Sequence, residues 1–391
     1  MTATVPQDLH QEIVEAATHA PSVHNTQPWQ FSSYEEGLDL WAEDARRLPV
    51  LDPYGRQLHL SCGGALLHAR VAARARGLDA DAQLLPTPDD PTHLARPRLR
   101  WGPSPGAAEQ SLAEAILRRH IYRDAFDVSP VPTVLLEQLH LVAEQAGGRL
   151  QVLTDPADVL ELAVLLSRTD SLEEADPAYR EELASWAHDG PAEVGIPRAT
   201  LPEDPERGSS LRRRDFELHG PAGSGDEPPA SEHPAVVVIL TDDDTPLCWL
   251  QAGQAVGIVL LRAAQDGVLA QPLAQVTDTV ALRLRHALGV LGTPQLALRM
   301  GYATASASTP RRNIADVLTS QPGTPDPAGS TDPAPVGSGE GNVTDVPAAV
   351  TGDDAPNGQP AVAPADPRRE SARRALAGLK AWESEGGRLA R

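Results

Sequence analysis

Between two prolines, Pro21 and Pro28, the chain carries Ser22, Val23, His24, Asn25, Thr26 and Gln27, and Trp29 follows directly. All of these but Val23 have side chains that hydrogen-bond, and most can both donate and accept. Such a set can grip the polar edge of a heterocycle. It can equally form a capped turn in which Ser and Asn bond their own backbone. The flanking sequence shows what positions it. Leu9, Ile13, Ala16, Ala17 and Ala20 recur at helical spacing, and Pro21 disfavours helical geometry at the residue before it, so a helix ends there. Trp29, Phe31 and Tyr34 open a strand. The polar run is therefore a loop leading from a helix C-terminus into a strand.

Pro21, Ser22, Asn25, Gln27, Pro28 and Trp29 together resemble the Pro-Ser-x-x-Asn-x-Gln-Pro-Trp signature of the nitroreductase-like flavoproteins. The resemblance implies flavin mononucleotide (FMN), contacted by Pro21, Ser22, Asn25 and Gln27. His24, inside the same loop, is a contact to flavin or substrate or a structural hydrogen bond. The stretch Arg118–Phe126 is similar to the family's Arg-x-Ser-x-Arg/Lys segment, which implies that Arg119 and Arg123 hold the FMN phosphate, with Ile121 standing where a hydroxyl residue is common. Guanidinium forks bind phosphate oxygens in pairs and stay charged; the end of an exposed helix is the other reading of these arginines. His120 is placed by the same likeness as a neighbour of the phosphate. Arg311 and Arg312, in Thr309–Asn313, resemble the C-terminal basic segment that closes on the phosphate, and Gln271, Pro272 and Leu273 fall where the family sets backbone groups against the flavin N5 side.

The chain also repeats itself. A shift of 126 positions lays Val5, Pro6, Leu9, Ala17 and Ala20 on Val131, Pro132, Leu135, Ala143 and Ala146. A shift of 190 lays Gly63, Ala65, Ala73 and Gly77 on Gly253, Ala255, Ala263 and Gly267, in two helices rich in small residues that can pack closely. The segments after these helices end alike, in Arg98–Gly102 and Ala297–Gly301. The family works as a homodimer with flavin at the interface, and the Acg-like branch, which this chain resembles over residues 5–318, implies one chain holding both halves. The expected organisation is a first repeat over 1–117 and a second over 118–320, with a lid insertion at about 167–233. That insertion is read as a polar helix over Glu173–Trp186 and a Pro-rich stretch in which Trp186 or Phe216 could cover the ring. The first repeat's counterpart of the arginines would precede Met1, and Gly147 and Gly148 stand where the second repeat's Pro-Ser should be. One FMN per chain follows, in a monomer that acts as a pseudo-dimer.

Composition narrows the remaining classes. A formal charge of −21 argues against a nucleic-acid partner, whose affinity depends on clustered positive charge. Lys380 is the sole lysine, so any cation that meets a phosphate is an arginine. Cys62 and Cys248 lie in apolar segments, which suits neither a disulfide framework nor a metal site, and the histidines are scattered without a metal-binding motif. No start of signal type and no run near the roughly 18 apolar residues of a membrane helix is visible, so no membrane role and a cytoplasmic location are expected. From 321 to 367 there are ten prolines, seven acidic residues and no Lys, Arg or aromatic residue, the composition of a disordered linker. Residues 368–391 carry Ala372, Ala375, Leu376, Leu379 and Trp382 on one stripe, a short helix that could dock a partner or simply fray.

The fold expected is α+β, of nitroreductase type, with two tandem repeats, a lid insertion and a disordered tail. The function implied is an FMN-dependent oxidoreductase moving hydride from NAD(P)H to a small conjugated acceptor of nitroaromatic or quinone type. The alternative is a flavin-sequestering, stress-related binding protein with little turnover.

Overall fold

The computed structural model describes residues 4–190, 192–198, 211, 232–275, 278–303 and 309–319. The expected linker, the expected C-terminal helix and Phe216 lie outside the described residues.

The apolar spacing of the first segment produces helix α1 (Gln7–Thr18), which buries Ile13, Val14 and Ala17 and stops three residues before Pro21. After the polar loop come strands β1 (Trp29–Tyr34) and β2 (Gly37–Ala42), helix α2 (Arg56–Ala75), strands β3 (Leu78–Leu84) and β4 (His93–Trp101), and helix α3 (Ala107–Arg118). The chain then runs through α4 (Thr133–Gln145), β5 (Arg149–Leu153), α5 (Pro156–Ala175), α6 (Pro177–Ser185), β6 (Ala187–His188), β7 (Ile196–Pro197), β8 (Ala235–Thr241), α7 (Pro246–Gln265), β9 (Leu269–Leu273), α8 (Asp278–Ala287), β10 (Thr293–Gly301), α9 (Ile314–Val317) and β11 (Leu318–Thr319).

Two sheets share one design. The order β1-β2-β4-β3 in the first recurs as β5-β8-β10-β9 in the second, every neighbouring pair antiparallel. Helices α2 and α7 are both twenty residues long and begin 190 positions apart, at Arg56 and Pro246. The C-terminal strand β11 leaves the second half and adds to the first sheet, parallel to β1. One core gathers Trp29, Phe31, Leu66 and Leu94 from the first half, and another gathers Leu139, Val237, Ile239 and Leu298 from the second. Helices α2 and α7 pack on each other between them.

Helix α7 comes nearer to a membrane span than the sequence reading allowed, with a mean hydropathy of 1.4 over its best window. Some 72% of that window is buried, and its apolarity is spent on α2, α3 and α4.

The insertion is wider than read from sequence. Two residues separate β1 from β2, whereas β5 ends at Leu153 and β8 begins at Ala235. The single helix expected over Glu173–Trp186 is also corrected: the polar stretch belongs to α5 and α6, and α5 starts at Pro156, where Leu162, Leu165 and Leu166 are buried. Proline fits the first turn of a helix and not its interior. Pro156 and Pro177 therefore each start a helix, and Asp155 and Asp176 cap them by accepting from Ala157 N at 2.8 Å and Ala178 N at 2.9 Å.

Candidate functional site

A pocket that opens to solvent, with about 970 Å³ of space when the solvent at its mouth is counted, lies where α2 and α7 meet. Gln57, Leu60, Ser61 and Gly64 line it from α2, and Gly253 and Val256 from α7. Pro21, Ser22 and His24 reach it from the polar loop, Ile121 and Arg123 from the segment after α3, and Gln271, Pro272 and Leu273 from β9. Ile196 of β7 lines it from the insertion. Trp186 is not among the lining residues; its carbonyl instead accepts the Ile196 N–H at 2.7 Å.

The loop is held in an unfavourable backbone form. His24, Asn25 and Gln27 all have left-handed φ angles, of 46°, 55° and 50°. For a side chain with a Cβ this region costs roughly 1–2 kcal/mol per residue, Asn being the best tolerated. Hydrogen bonds from several directions offset that strain. Ser22 Oγ accepts from Gln27 N at 3.0 Å, and Ser61 Oγ accepts from Val23 N at 3.3 Å. Strain maintained in this way marks a segment whose shape matters.

Three of the expected cofactor contacts are turned towards protein. Asn25, buried, donates Nδ2 to Gly195 O at 3.0 Å and to Pro310 O at 3.1 Å. Gln27, fully buried, donates Nε2 to Glu193 O at 2.7 Å and accepts from Arg312 N at 2.9 Å. Arg312 spends its guanidinium on the carbonyls of Gln27 and Trp29, both at 3.1 Å, on Glu43 at 2.7 Å and on Asp316 O at 2.8 Å. In this structure these side chains build the loop; the carbonyls and the carboxylate take up both Nη groups of Arg312, and only its Nε is without a partner among the described residues.

Arg119 and Arg311 behave differently. Arg119 is 4% exposed and donates Nη2 to His19 O at 2.9 Å, while its Nε and Nη1 are buried without a partner. Arg311 donates Nη1 to Asn25 Oδ1 at 3.0 Å and to Thr309 Oγ1 at 2.7 Å, and its Nε is likewise orphaned. Among the described residues no carboxylate balances either charge. Burial and then the charge of Arg311 push the Arg119 guanidinium down to about 9, and burial pushes Arg311 down to about 10. The histidines around them feel the same field. His19 is pushed down to about 4 by burial, then by Arg311, Arg119 and His120, and the wholly buried His68 is held well below its ordinary value by burial and Arg119. His120 is lowered by burial, Arg119 and Arg311. Arg123, at the pocket wall, is pushed down to about 10 by burial.

Burying like charges without a counter-ion is strongly unfavourable unless something pairs them. The cluster adjoins the pocket: Arg119 lies two residues before Ile121, His19 two before Pro21, and His68 one turn along α2 from Gly64. An anion joined to a flat heterocycle would suit both parts. The matching loop of the second half is reduced. Residues 19–28 join α1 to β1, but only residues 146–148 join α4 to β5.

Sequence reasoning missed His19, His68 and the lining from α2 and α7. Gly253 was singled out with Gly63 as part of a small-residue face and read as packing alone; Gly64, beside Gly63, was not singled out. His68 gave no signal, since nothing in its neighbours in sequence marks it as lying beside Arg119.

No family model matches the chain. Rv3131 of Mycobacterium tuberculosis, provisionally named an NAD(P)H nitroreductase, is 33% identical over 320 residues, 78% of this chain and 90% of the relative. The acg protein of the same organism, provisionally named likewise, is 31% identical over 324 residues, 80% of this chain and 96% of the relative. Among solved structures, the FMN-dependent nitroreductase NfnB of Mycobacterium smegmatis in complex with NADPH aligns with 55% of this chain and 100% of its own, at 17% identity and a TM-score of 0.35. The chain belongs to the nitroreductase-like family that Rv3131 and acg represent.

Proposed function

We propose that the chain binds one FMN and acts as an NAD(P)H-dependent oxidoreductase on a small conjugated acceptor of nitroaromatic or quinone type. The observation that carries this reading is a buried Arg119 and a half-buried Arg311, each with a buried nitrogen that has no partner among the described residues, beside segments that line an open, largely apolar pocket. Arg119 and Arg311 have the charge and the vacant donors for the FMN phosphate, with His120 beside them. Pro21, Ser22, His24, Arg123 and the segment Gln271–Leu273 line the space for the ring. Bound there, the flavin would supply the hydride chemistry, and the protein binding, orientation and electrostatics. The repeated sheets and the α2/α7 contact support a fused dimer, so that a single chain builds the interface its family otherwise forms from two. The reduced loop at 146–148 supports a single site.

One observation favours a second reading, retention of flavin with little turnover. Ile196 reaches the pocket from a segment that is hydrogen-bonded to the loop through Glu193 and Gly195, which restricts the space for a nicotinamide or an acceptor. Both readings are tested by purifying the protein, measuring FMN per chain, and adding NADPH or NADH without oxygen while following flavin absorbance. One FMN per chain that bleaches within the mixing time supports the oxidoreductase. One FMN that stays oxidised supports retention, and failure to take up FMN on reconstitution overturns both.

A further inference from the structure

Asn25 sits where three distant segments meet. Its Oδ1 accepts from Arg311 at 3.0 Å, its Nδ2 donates to Gly195 O and Pro310 O, and Gly195 N–H returns a bond to Asn25 O at 3.2 Å. A guanidinium only donates and a peptide carbonyl only accepts, so these partners fix which end of the carboxamide faces which segment. Both of its N–H groups and its oxygen are engaged by protein. The next residue after Gly195 is Ile196, which lines the pocket, while Arg311 belongs to the cationic cluster. A single buried side chain thus joins the anion end of the pocket to its cap.

We propose that Asn25 is a latch: an anion held by Arg119 and Arg311 fixes Arg311, and through Asn25 holds Gly195 and Ile196 over the pocket. The inference rests on the FMN reading and deepens it, because a flavin carrying a phosphate closes its own cap and a flavin lacking one does not. With no anion, Arg311 is held through Nη1 alone, by Asn25, Thr309 and Pro310, and against the repulsion of Arg119. With one, the Nε side of the guanidinium is engaged as well, which holds Arg311 against Asn25 more firmly. Asn25 is a positioning residue, acting through Arg311 and Gly195.

The discriminating variant is Asn25→Asp. Its carboxylate still accepts from Arg311 but has no proton to give Gly195 O or Pro310 O, and it sets negative charge against both carbonyls. Two readouts are independent of turnover: the rate of FMN release into an excess of a flavin-scavenging protein, and the quenching of bound-flavin fluorescence by iodide. In N25D, release and capture of FMN both accelerate on the order of tenfold, about the worth of one to two hydrogen bonds, and the dissociation constant changes less than either rate. Wild-type protein loaded with riboflavin, which has no phosphate, is quenched as readily as N25D loaded with FMN. Asn25→Gly tolerates the left-handed φ of 55° and removes all three side-chain bonds without touching the arginines, so it exchanges FMN faster as well, and it decides the matter if N25D does not fold. A folded N25D that exchanges FMN at the wild-type rate overturns the latch. So does wild-type protein that shields riboflavin and FMN equally. Wild-type protein that takes up no FMN overturns the cofactor reading and the latch with it.

Discussion

Gly63 of α2 and Gly253 of α7 lie against each other so that a Cβ on either would overlap the other helix: on Gly63 it would meet Leu250 O and come within 3.0 Å of the Gly253 Cα, and on Gly253 it would meet Leu60 O and come within 2.9 Å of the Gly63 Cα. The contact is reciprocal, each glycine facing the carbonyl three residues before the other. Such reciprocity, in which like patches meet, supports the fused-dimer reading proposed above. It brings the helices close at the place where Gly64 and Gly253 line the pocket.

Gly63→Ala and Gly253→Ala are therefore expected to destabilise the protein by similar amounts, about 1–3 kcal/mol each, as overpacked cores do. Chemical denaturation measures this. Gly190→Ala, where no atom of the described residues lies within 4 Å, is the control and leaves the midpoint unchanged. A large loss in one helix variant with none in the other would remove the reciprocity from the argument.

Arg119→Gln is expected to split binding from stability. The glutamine can still donate to His19 O but lacks the charge that the fold leaves unbalanced. FMN affinity should fall roughly 10- to 100-fold, the range for losing a hydrogen bond to a charged partner, while the ligand-free protein becomes no less stable. Calorimetric titration and thermal melting of the same samples check both halves. A ligand-free R119Q that melts well below wild type would show that Arg119 is structural.

Acid should weaken the ligand-free protein through His19. Its pKa drops from 6.5 to about 4 on folding, so between those values the unfolded chain binds a proton that the folded chain does not. Stability from this group is complete above pH 6.5 and is lost as pH falls towards 4. His68, lowered by burial, acts in the same direction. Negative charge at the cluster would favour the protonated rings and flatten the dependence. Thermal midpoints measured from pH 7.5 down to 4.5 should fall more steeply without FMN than with it, and His19→Gln should reduce the ligand-free slope. An unchanged slope in that variant would rule His19 out.

The part of the candidate site that is local in the chain was legible in the sequence. Pro21 and Trp29 bound the loop, β1 begins at Trp29 as the apolar spacing implies, and Arg119 and Arg311 were singled out by likeness of pattern. What the pattern could not show is the partner of each polar group. Asn25 bonds to residues 170 and 285 positions away, so a residue type that suits a flavin edge also suits two carbonyls brought in by folding. The break at Pro177 was legible in Asp176-Pro177, a cap followed by a first-turn proline, but the polar periodicity on both sides hid it. The start of the insertion was hidden because the buried leucines of α5 look like those of any core helix.

Arg311 and Arg312 are adjacent in the chain and are expected to fail in opposite ways. Arg312 is hydrogen-bonded to three carbonyls and to Glu43, so Arg312→Met leaves a carboxylate and several buried acceptors unpaired. Breaking such a pair from one side typically costs about 3–5 kcal/mol when fully buried, and Glu43, partly exposed, places the expected loss at or below the lower end of that range. Arg311→Gln instead relieves the repulsion with Arg119 and removes a candidate phosphate donor, so it should melt near the wild-type temperature and bind FMN weakly. Melting curves and FMN titration on the two variants separate the roles. If R312M folds as well as wild type and loses only FMN, the clamp is not what holds the loop, and both arginines belong to the anion site.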